Sequence, residues 1–295
     1  MVILVNKKTS FYQSLYTTRK ISSGYPNLEH MHSTLKKEEK QKESLKSEPY
    51  DHKILIDCLL KLVDFNELSK NTIDIGCGPA PTLVNELLKY GLDAKGLEPV
   101  DEMRQSAQEY ILDESRIIMG HAEKIPLPDN SQSFVSLVSV LEHVDSPLRA
   151  MNEIYRILEP GGVAYISTTN RYMFTSGEFK KHFYQWYPSI LKESYVFMHL
   201  HYRPELAGYS SRPAVHWFSY SDLCKLGRNS GFYAFYSPID LMSEKDDVTH
   251  QKLGLLNQFL PSIKFSPFLR SLVLTFSSAG SAIFMIKRRE KIPSI

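Results

Sequence analysis

Cysteine is scarce in this 295-residue chain: Cys58, Cys77 and Cys224 stand far apart, with no C-x-x-C pair. That removes the basis for a disulfide framework or a zinc knuckle and favours a reducing compartment. Net charge is nearly absent as well. The 35 Lys and Arg residues against 33 Asp and Glu leave +2, which gives no case for nucleic acid by bulk electrostatics. Long apolar runs are missing. Leu255 to Phe276 is interrupted by Pro261, Lys264, Pro267 and Arg270, and the 15 residues from Leu272 to Ile286 include Ser277, Ser278, Gly280 and Ser281. A spanning helix needs about 20 apolar residues, so this stretch reads as a helix followed by a strand. The first residues, Met1 to Val5, are too short a run for a signal peptide and have no charged region before them. Residues 1–28 carry Lys7, Lys8, Arg19 and Lys20 without an acid, among many Ser and Thr. Both a flexible tail and a mitochondrial presequence have that composition. The expected location is cytoplasmic, with mitochondrial as the alternative. No internal repeat is visible, which argues against a solenoid.

What the chain does have is enough apolar residue, 42%, for one large domain. Leu35 to Glu48 is a mixed charge run with little to bury, so residues 1–48 read as a flexible charged extension and 49–295 as the domain. Ile54, Leu55, Cys58, Leu59, Leu62 and Val63 fall at helical spacing. The centre of the chain is Thr72 to Thr82, T-I-D-I-G-C-G-P-A-P-T. An apolar strand through Ile73 and Ile75 enters the turn Gly76-Cys77-Gly78, and a helix follows from Thr82 to Tyr90. Strand, tight turn and helix open a doubly wound α/β domain. Glycine there permits positive φ and lets a ligand approach the backbone, while the helix start offers free N–H groups. A second apolar segment ends in Glu98, 20 residues beyond Gly78, a distance that suits an acid taking both ribose hydroxyls of an adenosine. The third small residue of a dinucleotide fingerprint is replaced by Pro81, which suits a ligand with no pyrophosphate.

The alternation continues. A helix is expected over Asp101–Ile111, strands at Ile117–Met119 and Phe134–Val140, a helix at Pro147–Leu158, a turn at Glu159–Gly162 and a strand at Val163–Thr168. This rhythm predicts a parallel sheet covered on both faces. Residues 170–217 break it. They are crowded with aromatic residues and histidine where a βα connection is usually a few residues long, and insertions at strand ends often carry substrate recognition. They are read as an aromatic-rich cap. Its contacts are either with substrate or with the sheet beneath. A helix at Ser219–Asn229 and strands at Phe232–Tyr236 and Ser281–Ile286 complete the pattern.

The stretch D-I-G-C-G-P resembles motif I of the class I S-adenosylmethionine-dependent methyltransferases, and Leu97-Glu98-Pro99 resembles their ribose-binding strand end. Gly120 to Pro128 is similar to the segment those enzymes lay over the adenine, Leu141-Glu142-His143-Val144 to the L-E-H-V after their fourth strand, and Ile154 to Gly162 to their R-x-L-K-P-G-G turn. The likeness covers Thr72 to Thr169 and is nearest the quinone- and lipid-methylating branches. It implies a Rossmann-like seven-stranded sheet of order 3-2-1-4-5-7-6 with strand 7 antiparallel, and S-adenosyl-L-methionine as cofactor. It also implies cofactor contacts from Asp74, Gly76, Cys77, Gly78, Glu98, His121, Ala122 and Glu123. The family often has Asp where His121 and Ser133 stand; a neutral imidazole offers one acceptor nitrogen in its place.

A hydroxyl acceptor needs its proton removed. His143, after strand 4 at the rim of the ligand crevice, is the candidate base; the alternative is that it caps the next helix or bonds a neighbour. Glu142 orients the cofactor or a backbone amide. Asp74 either meets the cofactor's ammonium or accepts the N–H groups of its own turn. Cys77 has no base beside it and is read as packing. His182, His199, His201 and His216 invite a metal, but no carboxylate lies at a ligand spacing, so none is expected. The expected partner is a small or lipid-like acceptor methylated on oxygen, with no nucleic acid and with peripheral membrane contact as an option. The competing readings are a methyltransferase-fold assembly or scaffold protein that binds cofactor without turnover and, third, a nicotinamide dehydrogenase, against which Pro81 argues.

Overall fold

The computed structural model describes residues 52–172, 216–243 and 259–289, the side chains at 278 and 279 apart. The charged extension, residues 1–48, and most of the aromatic segment at 170–217 lie outside the described residues.

Helix α1 (Lys53–Leu62) comes first, followed by β1 (Asn71–Ile75), α2 (Thr82–Lys89), β2 (Asp93–Leu97), α3 (Asp101–Ile111), β3 (Ile117–Ile118), β4 (Gln132–Val138), α4 (Pro147–Ile157) and β5 (Leu158–Ser167). After the break come α5 (Tyr220–Ser230), β6 (Ala234–Tyr236) and α6 (Pro238–Leu241), then α7 (Leu260–Phe265), α8 (Pro267–Phe276) and β7 (Ala282–Ile286). The strands form one seven-stranded sheet of order β3-β2-β1-β4-β5-β7-β6. The first five strands are parallel; β7 runs antiparallel to both β5 and β6. This is the doubly wound order that the resemblance implied.

The central strands are buried on both faces: β1 from Thr72 to Ile75, and β4 through six consecutive residues. One face of the sheet is covered by Leu55, Ile56 and Leu59 of α1 and Leu83, Val84 and Leu87 of α2, around Phe134 and Phe284. The other is covered by Met151, Ile154 and Ile157 of α4 and Leu223 of α5. Local chemistry sets the helix ends. Ser146 accepts from the Arg149 N–H ahead of Pro147 at the start of α4, and Ser219 with Asp222 forms a reciprocal capping box on α5. Gly231 closes α5 at φ +104°.

Two segments differ from the sequence reading. Residues 159–162 are a bulge rather than a free turn: Gln132 pairs with Leu158, and the next pair is Phe134 with Val163, so β5 loops out and re-enters the ladder. The apolar stretch before β7 is two helices, because Pro267 has no N–H to continue α7 and Ser266 caps α8 by accepting from the Leu269 N–H.

Lys287 fastens the sheet at the opposite end from the glycine turn. Buried just past β7, its Nζ donates to Asn130 Oδ1 (2.6 Å), the Tyr155 carbonyl (2.9 Å) and the Leu158 carbonyl (2.7 Å).

Candidate active site

The site is built on the carboxyl ends of β1, β2, β4 and β5, where open α/β sheets bind ligands. Gly76 and Gly78 take φ of +70° and +66°, values that L side chains rarely adopt. A Cβ on Gly76 would sit 2.3 Å from Val140 Cγ2, whereas one on Gly78 would meet nothing within 4 Å. The turn is therefore closed on its Gly76 side and open over Gly78. Its N–H groups are distributed in order: Gly76 donates to the Leu97 carbonyl (2.7 Å), Cys77 to the same carbonyl (3.2 Å), and Gly78 to Glu98 Oε2 (3.0 Å). The other oxygen of Glu98 accepts from the Val100 N–H at 3.0 Å. Glu98 is thus a buried carboxylate pinned by two backbone donors between the ends of β1 and β2. Helix α2 begins at Pro81 and Thr82 with no side chain capping its first turn, so its N-terminal dipole faces the turn.

Asp74 is also buried. Ser136 Oγ on β4 donates to its Oδ1 at 2.7 Å, and the turn's own N–H groups go to Leu97 and Glu98 instead of to Asp74. Burial, partly offset by the Ser136 bond and reinforced by the Glu98 charge, pushes the Asp74 carboxyl up to about 7. Burial and the two neighbouring carboxylates push the Cys77 thiol far up, so it is no nucleophile at neutral pH. Cys77 packs against β2, where a Cβ on Gly96 would meet its Sγ at 2.5 Å.

The raised Asp74 carboxyl has a measurable consequence for the cofactor-free protein. In the unfolded chain the group loses its proton near its ordinary value, 3.8, and in the fold only near 7. Between those values the folded state holds the extra proton, so stability falls as pH rises and stays low above the folded value. At about 1.4 kcal/mol per unit the loss is at most about 4 kcal/mol. Urea melts across pH 4–8 should show Asp74→Asn escaping this decline and exceeding wild type at pH 8. Parallel pH profiles for the two proteins would sink the assignment.

On the connection from β3 to β4, His121 is exposed and its carbonyl accepts from the Lys124 N–H (3.0 Å), while the Ala122 side chain is buried in the core. Glu123 Oε1 accepts from the Asp145 N–H (2.8 Å) and the Ser146 N–H (3.3 Å). Its carboxylate thus joins this loop to the turn between β4 and α4. Arg156 holds the rest of the loop: its guanidinium donates to Glu153, Asp129 and the carbonyls of Ile125 and Leu127 at 2.7–2.9 Å. That accounts physically for arginine in the turn motif, since only its planar fork has donors enough for this set.

His143 lies in the turn after β4. The backbone leaves the strand through Ser139 at φ +55°, and the His143 N–H closes the turn on the Val140 carbonyl at 2.9 Å. Beside it Glu142 is buried and accepts from Thr168 Oγ1 at 2.7 Å, and burial raises its carboxyl above the usual range. His216 clamps the same turn from the far side of the break. Its N–H donates to the Glu142 carbonyl (3.2 Å) and its Nε2–H to the Val144 carbonyl (2.9 Å). Burial lowers its pKa and keeps the ring neutral. With that ring nitrogen engaged, His216 is a brace; His182, His199 and His201 lie outside the described residues. Thr169 Oγ1 adds a bond to the His216 carbonyl at 3.1 Å.

The structure therefore brings Asp74, Gly76, Gly78 and Glu98 together at one turn, and places His143 on the adjoining turn. Ser136, Thr168 and His216 belong to the same cluster and were not assigned there from sequence. A small polar residue at the end of an apolar strand was the available signal for the first two.

Residues 73–166 match the family model of a methyltransferase domain. An uncharacterised methyltransferase of Schizosaccharomyces pombe is 26% identical over 167 residues, 52% of this chain and 58% of that protein. A demethylmenaquinone methyltransferase of Listeria welshimeri is 31% identical over 106 residues, 34% of this chain and 45% of that one. The chain thus spans about half the length of these relatives. Among solved structures, an S-adenosylmethionine-dependent methyltransferase from Thermotoga maritima is 26% identical with a TM-score of 0.40, covering 62% of this chain and 72% of that one.

Proposed function

We propose that residues 73–166, which match a methyltransferase domain, form the core of a class I S-adenosylmethionine-dependent methyltransferase, and that the chain methylates a small or lipid-like acceptor on oxygen. The observation that carries the reading is Glu98, held by the N–H groups of Gly78 and Val100 beside an open turn. It fits S-adenosyl-L-methionine by shape and charge. The carboxylate is fixed where two ribose hydroxyls would donate, Asp74 would give up its proton and be held as an anion by the ammonium, and the uncapped start of α2 favours the amino-acid carboxylate. His121 and Ala122 border the adenine, and Glu123 keeps their loop docked on the β4–α4 turn.

Once bound, the cofactor supplies a methyl group already activated by a sulfonium charge. The protein's task is to hold the acceptor in line and exclude water, and positioning of that kind can supply about 7–11 kcal/mol of a barrier. His143 takes the proton of the acceptor hydroxyl, while Glu142, Thr168 and His216 keep its turn in place. The Listeria relative is named for its action on demethylmenaquinone, which supports a lipid-like acceptor.

Calorimetry tests the cofactor half: S-adenosylmethionine and its demethylated product should bind and NAD should not. NAD binding without S-adenosylmethionine binding would end this reading. Extracts incubated with methyl-labelled S-adenosylmethionine should then yield a labelled small molecule or lipid. Tight cofactor binding with no labelled product from any extract would favour the scaffold reading.

A further inference from the structure

Two buried carboxylates stand at one turn with no cation paired to them. Asp74 is 7% and Glu98 4% exposed, and among the described residues neither takes part in an ion pair. They are held by different kinds of partner. Both oxygens of Glu98 accept from backbone N–H groups, which can only donate. The Asp74 carboxyl meets a hydroxyl, Ser136 Oγ, at 2.7 Å, and that oxygen also lies 3.4 Å from the Ile73 carbonyl. A hydroxyl serves either protonation state. With Asp74 ionised, Ser136 donates to its Oδ1. With Asp74 protonated the same contact runs the other way: the carboxyl O–H donates to Ser136 Oγ, whose own hydrogen turns to the Ile73 carbonyl.

The surroundings supply no counter-charge. Ile73 and Ile75 pack on the α4 side of the sheet, so alternation turns Asp74 toward α1 and α2, with Ser136 beside it in register on β4. On that side His52, ahead of α1, meets Thr82 Oγ1 at 2.8 Å, and Glu86 of α2 pairs with Lys89 at 2.6 Å. Lys53, Asp57 and Lys61 of α1 are not buried. From β2, Lys95 is in register with Ile73 and faces the other way, and Asp93 pairs with Arg116. Glu98 follows β2 and acts against a second anion, and Cys77 in the turn is a thiol that keeps its proton. A buried carboxyl so placed needs either a proton or a cationic ligand.

We propose that S-adenosylmethionine enters by exchange: its ammonium replaces a proton on Asp74, and Ser136, a positioning residue, turns from acceptor to donor as the carboxylate forms. The proton passes to solvent, so the charge at Asp74 is balanced before and after. Binding therefore weakens as pH falls, because the proton must be displaced. The inference rests on the methyltransferase reading and adds to it a proton count and a role for Ser136. The carboxyl, pushed up to about 7 by burial, puts the exchange within an accessible pH range.

Calorimetry on the full chain, in buffers of different ionisation enthalpy, counts the protons. Below pH 7.5 the ligand's own amine stays mostly charged. Close to one proton should leave per S-adenosylmethionine bound at pH 6 and far fewer at pH 7.5. The dissociation constant should fall about tenfold from pH 5 to pH 6 and level off above 7. Asp74→Asn should release no proton and bind with an affinity that does not change with pH. Ser136→Ala should move the midpoint up by about one pH unit; a merely structural serine would change melting temperature or affinity and leave the midpoint in place. Carbon-13 NMR of labelled aspartate reads the wild type without substitution. One carboxyl should titrate near 7 in the cofactor-free protein and be ionised at pH 6 when cofactor saturates. Binding without proton release, a wild-type dissociation constant indifferent to pH, or an Asp74 carboxyl already ionised at pH 5 without cofactor overturns the exchange and leaves the methyltransferase reading standing. An unmoved midpoint in Ser136→Ala overturns the role given to Ser136. Absence of S-adenosylmethionine binding at every pH overturns both the exchange and the reading beneath it.

Discussion

Glu98→Ala should weaken S-adenosylmethionine binding by about 10²–10⁴-fold. Two ribose hydroxyls donating to a buried carboxylate are worth about 1.5–3 kcal/mol each, and about 1.4 kcal/mol is a tenfold change in affinity. The substitution also frees the Gly78 and Val100 N–H groups that the carboxylate now holds at 3.0 Å, so the turn itself loosens. Glu98→Gln is the informative control. An amide keeps one acceptor oxygen but donates at the other position, so its affinity should lie between those of wild type and Glu98→Ala. Titration calorimetry reads all three, and an unchanged dissociation constant for Glu98→Ala would remove the ribose assignment.

The same residue shows how far sequence alone reached. Helix α3 was expected at Asp101–Ile111 and stands there; the helix after the glycine turn and the parallel strands fell within a few residues of their expected ends. Those signals are local: a turn that demands glycine, an apolar run, a cap. The Gly78-to-Glu98 spacing carries over because it spans one βαβ unit, whose length the fold constrains. The contacts that escaped are pairings over long separations. Ser136 reaches Asp74 across 62 residues, Thr168 reaches Glu142 across 26, and Asn170 reaches Ser277 across 107. No periodicity records such pairs. Glu123 is a different lesson. A carboxylate in a cofactor-like segment invited a ligand role, and sequence gave no sign that its Oε1 also accepts from the N–H groups of Asp145 and Ser146, just before α4. The break between α7 and α8 was visible as Ser266-Pro267, a cap followed by a residue that cannot continue the preceding helix.

His143→Ala should lower kcat by about 10²–10⁴-fold, the usual worth of a positioned general base, with S-adenosylmethionine affinity unchanged. A purely structural role for the ring would lower the melting temperature and leave the pH dependence alone. A base also shapes the profile: the wild-type rate should fall on the acid side as the imidazole is protonated, and the variant should lose that limb. Half-buried His216, its pKa lowered, is the comparison, since its ring nitrogen is spent on the Val144 carbonyl. Removing it should disturb the turn, and hence both kcat and KM, without abolishing the acid limb. An enzyme that remains fully active as His143→Ala would leave methyl transfer to positioning alone.

The place of β7 in the sheet bears on how this chain can be made. It sits between β5 and β6, pairing with both, yet it follows β5 by more than a hundred residues. At roughly 5–20 residues per second, a ribosome needs on the order of ten seconds to deliver it after β5 has emerged. For that interval β1, β2, β3, β4 and β5 can assemble, but the outer edge of β5 presents unpaired N–H and C=O groups, and β6 has no strand to join. Such an edge is a template for pairing with another chain. The nascent protein therefore passes through a stage in which its most aggregation-prone surface is a strand that the finished molecule buries at its centre, and the Lys287 clamp is among the last contacts able to form.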